Sequence, residues 1–212
     1  MSTCSNCERD IAGYHLSALR TPVLATLLLL LPCESVAHAP FEGGGGFYGG
    51  LLHPAFVPTH MLALTVTGGL VGKQSPPGRL IAIGFFAGAL LAGFSVLVFA
   101  FAPEHLTEVL LALAVTAGAL LALGRPLPRP LAGLLTATVG LAIALDSPPQ
   151  VVSLREATVI LIGTFCGAII LFGSIAECAA LLRRPWQCIE MRIFGSWIAA
   201  SAALALAFDL AR

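Results

Sequence analysis

Long apolar runs, separated by short polar or proline-rich breaks, occupy most of this chain. From residue 54 they fall at about 54–72, 79–102, 106–123, 130–146, 156–182 and 189–210. Each is near the ~20 residues that cross ~30 Å of hydrocarbon at ~1.5 Å per residue. The fifth is longer and predicts a helix that tilts or extends past the bilayer. The breaks read Ser75-Pro76-Pro77-Gly78, Pro103, Gly124-Arg125-Pro126, Ser147-Pro148-Pro149 and Arg183-Arg184-Pro185. Proline and glycine are the residues that interrupt periodic structure. The pattern predicts an all-α fold, a polytopic membrane bundle of six transmembrane helices.

Upstream, Arg20 precedes TPVLATLLLLLP, and small residues follow at Ser35-Val36-Ala37 and Ala37-His38-Ala39. A charge, an apolar stretch and a small-residue cleavage site together describe a secretory signal peptide. Cleavage after Ala39 would put Pro40 first in the mature chain, so cleavage after Ala37 is preferred, and His38 becomes the new N-terminus. The chain then divides into an extension and signal peptide, 1–37, and a six-helix domain, 38–212. An uncleaved first transmembrane helix is the rival reading.

Composition points to the same solvent. Hydrophobic residues make up 58% of the 212 and charged ones only 10%, with mean hydropathy +0.94, whereas soluble domains carry about 25% charge. Lipid is the partner such a surface requires. The formal net charge is zero, and no basic block is present to neutralise phosphates, which argues against a nucleic-acid partner. The basic residues are unevenly placed. Lys73 and Arg79 flank the first break, Arg125 and Arg129 the third, and Arg183, Arg184 and Arg192 the fifth. The positive-inside rule puts these breaks in the cytoplasm and both mature termini outside.

Small residues recur four apart at Gly84 and Gly88, Ala89 and Gly93, Ala114, Gly118 and Ala122, and Gly163 and Gly167. Such spacing lets helix backbones approach closely in lipid and predicts a tight bundle. The six cysteines include one CxxC, Cys4 and Cys7. A four-cysteine zinc site needs a second such pair.

Ionisable side chains at membrane depth are functional candidates by default. Here they are His53, His60, His105, Asp146, Glu177 and Asp209. His53 and His60 lie seven residues apart in HPAFVPTH. On a straight helix both face one side, about 10 Å apart along the axis. At that separation they cannot share one metal ion with ligand distances near ~2 Å. Either Pro54 and Pro58 break the helix, or His53 folds over from the preceding loop, or the two are successive stations. Neutral imidazole suits nickel, cobalt, copper or zinc. Glu104, His105 and Glu108 sit at a helix start, where negative charge complements the dipole. Asp146 sits near a helix C-terminus, where the dipole disfavours a carboxylate. Glu177 lies two turns before Arg183 and Arg184 and is expected to pair with them near the interface.

The stretch GGLLHPAFVPTHMLALTVTGGLVG, residues 49–72, resembles the first-helix signature of the HupE/UreJ family of nickel and cobalt permeases. It carries Gly50, His53-Pro54, His60, Leu62-Ala63 and Gly69-Leu70. The layout of 20–212 is similar as well. The resemblance implies a bacterial inner-membrane permease that moves Ni2+ or Co2+ and has no tightly bound cofactor. His53 and His60 would be metal ligands, Asp146 would compensate charge, and His38 with its free α-amine would help capture ions outside. The chain departs from the family at Thr59, where an aspartate usually precedes the second histidine, and it has no second histidine-rich motif. The alternative is a non-transporting scaffold or accessory protein that has lost the metal site. Partners consistent with either reading are a second copy of the chain, as a homo-oligomer, and metalloenzyme-maturation proteins. No P-loop, HExxH or nucleophile elbow is present, so an enzyme is not expected.

Overall fold

The computed structural model describes residues 46–97, 105–125, 127–149 and 153–211. The signal-peptide segment and His38 lie outside the described residues, as do Cys4, Cys7, Cys33 and Glu104. Among the described residues there are seven helices and no strand. They are α1 (Phe47–Phe56), α2 (Pro58–Gly72), α3 (Pro76–Leu97), α4 (Leu106–Leu123), α5 (Arg129–Leu145), α6 (Leu154–Leu181) and α7 (Pro185–Leu210).

Four of these, α3, α4, α6 and α7, are long and apolar enough to cross a membrane. The run expected as one span over 54–72 is instead a pair, α1 and α2, bent by 71°. The pair counts as a fifth span if taken together. Helix α5 has 17 residues, or about 26 Å at ~1.5 Å per residue, short of a ~30 Å hydrocarbon core. Helix α6 is the longest at 28 residues, as its apolar run predicts.

Several boundaries differ from the sequence reading for one reason. Pro76 and Pro185, read as separators, are the first residues of α3 and α7, and Pro58, inside the run read as one span, is the first residue of α2. Proline is suited to that position because the N–H it lacks would have no helical partner there. Gly124 does mark a stop. It takes the left-handed conformation (φ 66°) after α4, and its N–H donates to the Leu121 carbonyl at 3.1 Å.

Helix α2 is the axis of the bundle and touches each of the other described helices. From Ala63 to Gly72 nearly all of its residues are buried. A helix apolar all round belongs inside a bundle. Around it, glycines bring backbones together. An added Cβ on Gly163 would meet the Phe47 carbonyl, and one on Gly167 the Leu51 carbonyl, so α1 lies directly on α6. Gly93 packs on Ala144 and joins α3 to α5, and Gly118 packs on Gly195 and Ala199 and joins α4 to α7. Three of the four predicted small-residue sets therefore form helix contacts. Gly84 and Gly88 do not: a Cβ at either would meet nothing within 4 Å, because that side of α3 faces outward.

The first, third and fifth breaks converge at one end of the bundle. Lys73 Nζ donates to the Leu182 carbonyl at 3.0 Å, and Gln74 Nε2 donates to the Leu127 carbonyl at 2.7 Å. Arg79 Nε donates to Glu177 at 2.7 Å. Glu177 is thus paired with Arg79 on α3, not with Arg183 or Arg184 as expected. Two turns of α6 separate it from those arginines, and Arg183 Nε donates to the Ala180 carbonyl instead. Cys166, Cys178 and Cys188 are free thiols.

The α1–α6 crossing makes a stability prediction. Gly167→Ala places a methyl against the Leu51 carbonyl and is expected to cost ~1–3 kcal/mol by overpacking. Gly173→Ala, where an added Cβ meets nothing within 4 Å, is expected to be neutral. Thermal unfolding of the detergent-solubilised protein followed by circular dichroism measures both, and equal melting temperatures would contradict the crossing.

Candidate functional site

The site begins with two prolines four residues apart. Pro54 lacks the N–H that would meet the Gly50 carbonyl, and Pro58 lacks the one that would meet Pro54. Two successive helical bonds are lost. Val57, which precedes Pro58, is pushed to an extended conformation, φ −84° and ψ 113°. Its own N–H still donates to the His53 carbonyl at 3.1 Å, and its carbonyl accepts from Met61 at 3.0 Å. The chain turns sharply at one residue with little loss of hydrogen bonding there.

The bend settles how far apart the histidines lie. The His53 and His60 ring centres are 5.4 Å apart, with planes at 72°, whereas a straight helix would separate the residues by about 10 Å along its axis. Of the three arrangements the spacing leaves open, the proline break is the one that occurs. A nitrogen ~2.0 Å from a metal puts the ring centre ~3 Å away, so two rings on one ion stand roughly 4.5–6 Å apart. The observed separation falls in that range.

Asp146 joins them from the far end of the chain. It is the C-cap of α5, and its Oδ2 lies 2.9 Å from His60 Nε2. In a neutral His60 facing an ionised Asp146, Nε2 would donate to the carboxylate and Nδ1 would keep its lone pair. His60 is fully buried, while the Asp146 side chain is 20% exposed. Among the described residues, His60 Nδ1 and His53 Nε2 are buried polar atoms with no hydrogen-bond partner. Buried polar atoms in native folds are nearly always satisfied, so two adjacent exceptions call for a ligand or a mechanism.

Three of the four sequence-predicted site residues, His53, His60 and Asp146, thus lie together. They do not surround a common point with three donors. Among the described residues no group of three or more His, Cys, Asp or Glu side chains is arranged to hold a metal ion. The carboxylate is on the back of His60, where metal-binding histidines commonly donate to an orienting acid. A model of the HupE / UreJ protein family matches residues 26–207. The chain belongs to the HupE/UreJ family. No curated protein and no solved structure matches it. Like the helical bundle, membership marks the chain as a multi-pass membrane protein.

The other ionisable candidates of this HupE/UreJ protein lie elsewhere. His105, the N-cap residue of α4, makes no side-chain capping bond, and its Nδ1 is 3.0 Å from Glu108 Oε1 in the first turn. One buried polar residue the sequence reading did not single out is Thr67. Its signal is the seven-residue spacing that links His53 to His60, repeated once more.

Removing the acid tests the geometry. Asp146→Ala leaves His60 Nε2–H without its acceptor and is expected to destabilise the protein by ~1–3 kcal/mol. It also frees the imidazole to exchange tautomers. Nitrogen-15 NMR of the His60 ring is expected to show Nε2–H in the wild type and a mixture in the variant. The same mixture in both would mean that Asp146 does not set the tautomer.

Proposed function

We propose that this protein is an inner-membrane permease for a divalent transition-metal cation, nickel or cobalt. The observation that carries the proposal is the pair of unpartnered buried imidazole nitrogens, His53 Nε2 and His60 Nδ1, on rings 5.4 Å apart. Neutral nitrogen donors match borderline cations such as Ni2+ and Co2+ better than Mg2+ or Ca2+. Asp146 offsets part of the cation's charge through His60 and orients that ring. His38 and its α-amine, exposed by cleavage after Ala37, would concentrate ions at the outer face.

In this reading the protein crosses the membrane six times. The bent α1–α2 pair is the first span and α5 a short fourth one, accommodated by local thinning of the bilayer. Both termini are periplasmic and the basic breaks cytoplasmic. A broken first span suits transport: non-helical backbone at membrane depth is tolerated where protein buries it or where it lines a path, and ion sites in transporters often sit at such breaks. Two nitrogen ligands without a direct carboxylate bind weakly enough for the ion to leave again.

The alternative, a non-transporting accessory protein, is favoured by Thr59 in place of the family's aspartate and by the lack of a three-donor cluster among the described residues. Nickel accumulation by cells separates the two. His60→Ala is expected to abolish uptake at low external nickel. Uptake equal to wild type removes the ligand role. Titration of purified protein with nickel, cobalt, zinc and manganese should show binding that the double variant His53→Ala, His60→Ala loses. Asp146→Ala should weaken that binding about 10–100-fold, the usual effect of losing an orienting carboxylate.

A further inference from the structure

Three cations from three separate elements line one cavity at the end of the bundle where the basic breaks meet. Lys73 is the C-cap of α2, Arg125 lies in the break after α4, and Arg192 is near the start of α7. With apolar walls that include Leu70, Leu121 and Met191, they enclose about 190 Å³. Among the described residues no acid lines this space. Of the acids at this end, Glu177 is held by Arg79 at 2.7 Å, and Glu190 lines a neighbouring groove.

Two of the cations are fixed in place by the chain itself. Lys73 Nζ donates to the Leu182 carbonyl at 3.0 Å, and Arg192 Nε donates to the Ala122 carbonyl at 2.8 Å. Each bond satisfies a carbonyl left over at a helix end. Gly124 leaves room for the arginine: an added Cβ there would stand 3.0 Å from Arg192 Cδ and Nε. The remaining donors of the ammonium and the guanidinium stay available. Arg125 is exposed and makes no hydrogen bond or ion pair among the described residues. Helix capping therefore accounts for Lys73 and Arg192, but not for Arg125 or for the shared cavity.

Met191 also lines a second, open space of about 350 Å³, an apolar groove along α7 with Leu182, Phe194 and Trp197. Leu182 supplies both a wall of this groove and the carbonyl that holds Lys73. Lys73 thus stands at the junction of the two spaces. Met191, Phe194 and Trp197 are each three residues apart and follow one face of α7 for about 9 Å, away from the basic end. Phe194 is 49% exposed and Trp197 70%, which leaves this face open to lipid.

We propose that the joined cavity and groove hold one anionic phospholipid, with its phosphate among Lys73, Arg125 and Arg192 and an acyl chain along Met191, Phe194 and Trp197. A site cationic at one end and apolar at the other matches an amphiphile, whereas a free phosphate would leave the groove empty. Basic pockets between membrane helices recognise such headgroups, and guanidinium groups meet phosphate oxygens with paired hydrogen bonds. Glu190 repels the phosphate from the groove and keeps it on the cationic side of Met191. The site requires membrane residence alone and stands whether or not the protein moves a metal.

Trp197 is one of two tryptophans in the chain, so Trp186→Phe makes it a single reporter. The full chain with that change is reconstituted in phosphatidylcholine vesicles that contain a small fraction of phosphatidylglycerol brominated on its acyl chains. Bromine quenches indole fluorescence on contact. Quenching of Trp197 is expected to exceed that by brominated phosphatidylcholine at equal mole fraction. Arg125→Gln, which loses no partner among the described residues, should weaken the preference about fivefold. Adding Arg192→Gln should remove most of what remains. Arg129→Gln takes an equal charge from the same end outside the cavity and should leave the preference nearly unchanged. Equal quenching by the two brominated lipids, or a loss from Arg129→Gln as large as from Arg125→Gln, overturns the site. Displacement of the brominated lipid by inorganic phosphate overturns the lipid assignment in favour of a soluble anion.

Discussion

Two prolines four residues apart cannot share one straight helix without stranding two carbonyls, and much of this structure follows from that constraint. The break falls at Val57, the residue that Pro58 forces out of the helical region. It separates a short α1 from the long α2 and bends the pair by 71°. Helix α1 is then free to lie across α6, and it does so at Gly50, Gly163 and Gly167, where neither backbone could tolerate a side chain. The bend together with that crossing carries His53 over His60. Without the break the two imidazoles would be about two helical turns apart.

The second constraint is the solvent. In hydrocarbon no water is available for stray polar groups, so those that remain unpaired stand out. Most threonine hydroxyls among the described residues fold back on their own helix, and Lys73, Arg79, Arg183 and Arg192 at the basic breaks are tied to carbonyls or to Glu177. Against this background the unpaired nitrogens of His53 and His60 stand out on the first broken span.

Asp146 has a different place from the one its position along the chain suggested. A carboxylate in direct contact with the metal would substitute for the aspartate that Thr59 replaces. Instead it lies against the Nε2 edge of His60. In the proposed metal site, charge compensation would pass through an imidazole, and the site would be softer and weaker than one with a carboxylate in contact. The same contact ties the C-terminus of α5 to the start of α2 across 86 residues, so one hydrogen bond links the site to the short helix α5.

Membrane residence, helical content and family were legible in the linear order of residues. Hydropathy over ~20 positions and a local motif around His53 and His60 need no knowledge of what lies elsewhere in the chain. Small residues at four-residue spacing indicated close packing, although Gly93 and Gly118 could not be told from Gly84 and Gly88, because spacing does not say which face meets a neighbour. Prolines were legible as interruptions, yet a proline that ends a helix and one that begins the next read alike. The tertiary structure alone decided the distance between the two imidazoles, the partner of Glu177, and the side of His60 on which Asp146 sits. Those depend on a bend angle and on which helices lie side by side, and residues 98 or 86 positions apart meet only once the bundle has packed.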